Sequence, residues 1–225
     1  MKALTTLALL MATSTAAMAK TDLTFDVYNA DEHSFNVTST LVVGETESLL
    51  IDTGFTRADA LRIAAKVLDA GKPLKTIFIS QADPDYYFGA SQLLEIFPEA
   101  HVVTTAAVRE AIAKKLEKKI SFWGPKMGLN APQNPKLPEV LKADSLMVDD
   151  AKIEIRGTQG VLAHRPYLWV PSEKAILANV GIDEGMHVWM ADTQSDAEVD
   201  AWLAQLEEMQ SLKPKFVVPG HMTAS

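Results

Sequence analysis

The spacing of apolar and polar positions sets out the elements. Leu23 to Tyr28 alternates apolar and polar residues with period two, which predicts a half-buried strand. Val37 to Val43 and Ser48 to Asp52 flank Gly44-Glu45-Thr46, a hairpin signal. Thr56 to Asp59 reads as a capping box with Asp in the last place. The helix it opens places Ala60, Ile63, Ala64, Val67 and Leu68 on one face, and Gly71 and Pro73 stop it. Strand Leu74 to Ser80 follows, then a polar loop, a short helix from Ala90 to Phe97 ended by Pro98, and a strand from Ala100 to Thr104. Ala106 to Ile120 is a helical pattern whose polar side carries Lys114, Lys115, Lys118 and Lys119, read as a solvated face.

Periodicity then stops. Phe122 to Pro138 contains Pro125, Pro132, Pro135 and Pro138 together with Gly124 and Gly128, which predicts a long irregular loop. Such a loop inside a compact domain is functional or a linker. Trp123 and Met127 favour a loop folded over the mouth of a pocket, with a plain surface loop as the close alternative. Short strands are predicted at Ser145 to Val148, Lys152 to Arg156, Tyr167 to Val170, Ala175 to Val180 and His187 to Met190. Ser195-Asp196-Ala197-Glu198 is a second capping box. It opens a helix with Val199, Trp202, Leu203, Leu206 and Met209 facing inward, ended by Pro214. A last strand, Phe216 to Pro219, leads to Gly220-His221. This order predicts two sheets packed face to face with helices outside, in one domain over residues 20–225.

Composition narrows the function. Of 225 residues, 48% are hydrophobic and 22% charged, ordinary values for a globular chain. The net charge of −8 gives no basic footprint for nucleic acid and argues against anionic membrane surfaces. There is no cysteine, so disulfides and thiolate ligands are excluded. Lys2, the apolar run Leu4 to Met11 and Ala17-Met18-Ala19 form a signal-peptide pattern over residues 1–19, with cleavage expected before Lys20 and export to a periplasm. No later stretch is long enough to span a bilayer.

The chain is organised around Thr76 to Gly89. Its first half reads as a buried strand, and Gln81-Ala82-Asp83-Pro84-Asp85-Tyr86-Tyr87-Phe88-Gly89 as a loop running into a helix start. Asp-Pro-Asp also suits a turn and a helix N-terminus, so both acids have a structural reading beside a chemical one. His33, His101 and His187 are read as surface or packing residues, Asp52 as a loop-fixing acid, and Phe88 as core.

The segment resembles the metal-binding signature of the metallo-β-lactamase superfamily, His-x-His-x-Asp-His-x-x-Gly after a strand. Its positions fall on Gln81, Asp83, Asp85, Tyr86 and Gly89, and only Asp85 and Gly89 keep the family residue. Leu49 to Gly54, Leu168 to Lys174 and Val218-Pro219-Gly220-His221 extend the resemblance. It implies an α/β (α+β) class and a four-layer αββα sandwich, with a site on loops at one edge. There a first metal would take positions 81, 83 and a histidine from the later sheet, assigned to His164. A second would take 85, 86 and His221. The bridging aspartate falls near Asn179-Val180, where neither residue is a carboxylate.

What survives implies at most one divalent metal on Asp83, Asp85, His164 and His221, with Gln81 as a weak amide ligand. Zinc comes first, iron or manganese second. Asp85 would orient a metal-bound water or take its proton. Tyr86, Tyr87 and Trp123 are the candidate substrate contacts. The expected activity is an exported metal-dependent hydrolase of a small ester, lactone or amide, without useful turnover of β-lactams. The alternative is a non-catalytic, metal-free relative that binds a small molecule or a protein partner. A third reading, an iron-type oxygen-handling protein, rests only on the acid at position 83.

Overall fold

The computed structural model describes residues 22–223, so the signal pattern over residues 1–19 lies outside the described residues. Strands β1 (Thr24–Asn29), β2 (Thr38–Val43) and β3 (Ser48–Ile51) form an antiparallel meander. Helix α1 (Arg57–Ala70) then crosses over to β4 (Leu74–Phe78), which lies parallel to β3. A one-turn helix α2 (Pro84–Tyr87) and α3 (Ala90–Ile96) lead to β5 (His101–Thr104); α4 (Ala106–Met127) leads to the short β6 (Glu139–Val140). These strands make a six-stranded sheet in the order β1-β2-β3-β4-β5-β6.

The second sheet contains β7 (Ser145–Val148), β8 (Ala151–Arg156), β9 (Tyr167–Val170), β10 (Ala175–Leu177) and, after β11 (Asp183–Glu184) and α5 (Asp196–Ser211), β12 (Phe216–Val218). Its five strands run β12-β10-β9-β8-β7. β11 pairs in parallel with β13 (His221–Met222) as a separate ribbon, opposing Asp183 to His221.

Side-chain alternation explains the layering. In β3, Leu49 and Ile51 turn towards the second sheet and meet Leu168, Val170 and Leu177, whereas Leu50 turns outward. There it packs beneath α1, α3 and α4 with Ile63, Val67, Leu93, Val108 and Ile112. Tyr167, Trp169 and Ile176 face outward from the second sheet and pack on Met209 of α5. Both faces of each central strand are thus covered, which gives the αββα sandwich expected from the sequence.

Both capping boxes form, Thr56 with Asp59 and Ser195 with Glu198. Several boundaries differ from the sequence reading. α4 does not end at Ile120 but runs on to Met127, carrying Pro125 within its last turns. A proline there removes one ladder hydrogen bond, and so near the helix end the loss is small enough to be tolerated. His187 to Met190 forms no strand; it belongs to an extended loop after β11. Leu68 and Leu203, assigned to buried faces, are exposed because each lies at the edge of its helix's apolar stripe. Among the described residues, no helix is long and apolar enough to cross a membrane.

Candidate functional site

One edge of the sandwich opens into a cleft of about 370 Å³. Its floor comes from α2, its back from β11 and β13, and its rim from α4 and the loop after β11. The floor is fixed by backbone bonding. Thr53 donates to the Tyr86 carbonyl with both its N–H and its hydroxyl, at 2.8 and 3.1 Å, and Gly89 N–H donates to Gly54 at 3.2 Å. This ties the turn after β3 to α2 so closely that a Cβ on Gly89 would stand 2.0 Å from the Thr53 carbonyl oxygen. Gly89→Ala is therefore expected to lower stability by about 2–3 kcal/mol, read from urea unfolding midpoints. A loss under about 0.5 kcal/mol would show that the clamp is soft.

Asp85 and His221 meet in the cleft. Their Oδ2 and Nε2 atoms are 3.5 Å apart. His221 Nδ1 lies 2.8 Å from the Phe35 carbonyl oxygen, which can only accept, so the ring proton sits on Nδ1 and Nε2 faces Asp85. The ring also meets Tyr86 edge-on, with centroids 5.6 Å apart. Burial pushes the Asp85 carboxyl up to about 8; the neighbouring Asp83 charge adds to this and Lys119 offsets it in part. At neutral pH Asp85 is therefore mostly a neutral acid. Asp183, across from His221, is raised by burial to about 6, with His221 and Arg165 pulling the other way.

Beneath the floor lies a second acid. Asp52, at a backbone φ of +60°, accepts from the Ser80 N–H at 2.8 Å and the Ser80 hydroxyl at 2.7 Å. Burial raises it too to about 8, and those two donors only partly counter the effect. It fixes the loop after β4. Asn179, where the resemblance expects a bridging carboxylate, donates instead to the carbonyls of Ser80 (3.1 Å) and Pro166 (2.7 Å). A carboxylate has no proton for either bond, so here the residue is a cross-link between the two sheets.

The remaining sequence candidates divide. Asp83, Tyr86 and Trp123 line the cleft with Asp85 and His221. Trp123 does so from α4, not from a free loop, because the helix continues past it. Gln81 is buried and folded back: its Oε1 accepts from the Asp83 N–H at 2.8 Å and its amide donates to Asp83 Oδ2 at 3.2 Å. Tyr87 packs against Phe88 in the core rather than in the cleft. His164 is not among the cleft-lining residues. It lies before β9, where burial and the positive charges of Arg165 and Lys115 hold its pKa down.

Sequence reasoning missed part of the rim. Lys119, taken for a solvated charge, reaches over the cleft to Asp83 at 3.4 Å. His187, Trp189 and Asp192 also line it, from a loop whose residues 187–190 read as a strand in the sequence. That loop is held by Arg165, whose guanidinium is buried over the Trp202 ring and donates to the Thr193 hydroxyl at 2.7 Å.

Fold and sequence together define the class. The chain belongs to the metallo-beta-lactamase superfamily, whose family model matches residues 34–221. Solved structures of similar architecture include a metallo-beta-lactamase from Pontibacter korlensis, at 18% identity and a TM-score of 0.57 over 90% of this chain and 91% of that one. A metallo-beta-lactamase family protein from Thermus thermophilus gives 17% identity and a TM-score of 0.62 over 89% and 73%. A metallo beta lactamase from Hirschia baltica gives 15% and 0.58 over 91% and 92%. At these identities the likeness concerns the fold alone. No curated protein matches the chain.

Members of this superfamily usually bind divalent metals such as zinc. The donors in this chain do not fit that role. Both Asp83 oxygens are engaged, one by the Gln81 amide and one by the Lys119 ammonium. The Gln81 oxygen is spent on a backbone N–H. Burial, with the carboxylates around it, pushes the Tyr86 phenol well above its ordinary range, so it stays protonated. Among the described residues, no group of three or more His, Asp or Glu converges in a way that could hold a metal ion.

Proposed function

We propose that the protein binds a small organic molecule in the cleft between its sheets, without the metal centre of its superfamily. The observation that carries this reading is the double engagement of Asp83: a lysine ammonium and a glutamine amide stand on the carboxylate that a metal would need. A positive side chain there also disfavours any added cation on the same oxygens. Export to a periplasm through residues 1–19 belongs to this proposal and is supported by the signal-peptide pattern.

Elemental analysis and calorimetric titration with zinc, iron(II) and manganese(II) test it. The expected result is substoichiometric metal and an unfolding midpoint that a chelator leaves unchanged. One tightly held equivalent, lost in Asp85→Ala or His221→Ala, would restore the expectation of a metal-dependent site.

A second reading is hydrolysis of a small ester, lactone or amide, favoured by the orientation of His221. With its proton fixed on Nδ1, Nε2 offers a lone pair at the cleft, where a neutral imidazole can take a proton from water attacking a carbonyl. Turnover of p-nitrophenyl acetate lost in His221→Ala but kept with chelator present would support this reading; turnover unaffected by that substitution would end it.

A further inference from the structure

We propose that the occupant of the cleft is a small organic cation, an ammonium group carried on an apolar body. This inference rests on the small-molecule reading given above and names the chemistry of the ligand.

Charge is the first argument. Asp83, Asp85, Asp183 and Asp192 all line the cleft. Two of them are answered from α4: Lys119 stands on Asp83 at 3.4 Å and Lys115 on Asp192 at 3.6 Å. Asp183 has no lysine or arginine in ion-pair contact among the described residues, and Asp85, mostly protonated, faces the His221 ring. Asp183 Oδ1 is buried without a hydrogen-bond partner. A buried carboxylate oxygen left in that condition is costly, and an N–H from a ligand relieves it.

The second argument is the Tyr86 hydroxyl. Tyr86 lines the same cleft and is only 1% exposed, yet its oxygen has no hydrogen-bond partner. It stands beside Asp85, Asp52, Asp183 and Asp83. A phenol oxygen in that setting is an acceptor for a donor entering from the cleft. An anionic ligand would meet repulsion at this point. A neutral one would leave the Asp183 carboxylate uncompensated.

The walls supply the third argument. Trp123, Trp189 and Phe35 line the cleft beside Met186. Trp189 is 57% exposed, a large aromatic left in water at the mouth of an acidic site. Indole faces attract ammonium groups, and the aromatic surface pairs with an apolar body. A bare inorganic cation has no use for such walls. The cleft, at about 370 Å³, lies within the range of small-molecule sites. A net charge of −8 would also steer cations towards the protein.

The test is a calorimetric titration of the full chain, paired with NMR of the tryptophan indole signals, using four probes of one shape: benzylamine, benzyltrimethylammonium, benzyl alcohol and benzoate. The two cations are expected to bind saturably, benzyl alcohol about tenfold more weakly, and benzoate not at all. Asp183→Asn and, independently, Trp189→Ala in the exposed loop are each expected to weaken cation binding by about fivefold or more, with unchanged circular dichroism. Benzyl alcohol or benzoate binding in the cleft as tightly as the amines would overturn the cation inference and leave the small-molecule reading standing. Amine binding that survives both substitutions would place the ligand elsewhere and overturn it as well. If none of the four moves a cleft signal, both this inference and the reading beneath it fail.

Discussion

Replacing Asp59 by alanine is expected to destabilise the fold by about 3–5 kcal/mol, the range found when one member of a buried charged network is removed. Asp59 opens α1 and is 2% exposed. Its carboxylate accepts from Ser34 Oγ at 2.6 Å, Tyr28 Oη at 2.7 Å, Thr56 Oγ1 at 2.7 Å and the Thr56 N–H at 3.0 Å. Those donors come from β1, from the turn at residues 32–34 and from the helix start. Burial alone would raise this carboxyl; the donors outweigh it and hold the group below its ordinary value. Alanine would leave the Tyr28 and Ser34 hydroxyls buried and unpaired, a cost that adds to the lost cap. Thermal unfolding should show a midpoint lower by about 10 °C or more. Asp59→Asn, which keeps the shape and part of the acceptor capacity, should cost less. An alanine variant within about 1 kcal/mol of the parent would show that water or repacking satisfies the donors.

Raising the pH from about 5 to about 8.5 is expected to weaken the fold by a few kcal/mol, the direction opposite to ordinary acid unfolding. Asp52 and Asp85 hold their protons up to about 8 in the folded chain, against an ordinary value of 3.8. Over that window the unfolded chain has released protons that the folded chain retains. The stabilising difference is complete only below the unfolded value of 3.8, and it is lost progressively until the pH has risen through the folded values of about 8. Asp183, raised to about 6, acts in the same direction. The charge on Asp85 also raises Asp52, so the two titrate as a linked pair. Asp52→Asn should flatten the profile: asparagine tolerates the left-handed backbone there, can accept from the Ser80 N–H and can donate to its hydroxyl. Denaturant midpoints across the window decide it. A level profile in the parent, or an unchanged slope in the variant, would contradict these proton affinities.

The fold could be read from the sequence because its signals are local. Both capping boxes, the Gly44 hairpin and the alternation in β3 are written within a few residues of where they act. The site could be read only in part. Asp85 and His221 sit in motifs that survive, and they do meet. The periodicity puts Lys119 on the right helix but hides it as a charge over the cleft, because its reach to Asp83 depends on how α4 packs against a distant loop. Trp123 reads as a loop residue because Gly124 and Pro125 look like a stop in sequence. His187 and Trp189 were hidden because β11 pairs with a strand far along the chain, and no periodicity marks that pairing. His164 shows the converse: its spacing before β9 suggested a ligand, but the turns over residues 157–166 place it away from the cleft lining.

The carbonyl that orients His221 belongs to Phe35, and the Thr38 hydroxyl donates to the Pro219 carbonyl at 2.6 Å. Early and late segments of the chain must therefore have met before that corner exists. A half-assembled molecule can show a sheet or a greasy face, but it has no such corner to offer. Any occupant recognises finished molecules only, and by mass action draws the population away from incomplete ones, which makes occupancy a form of quality control.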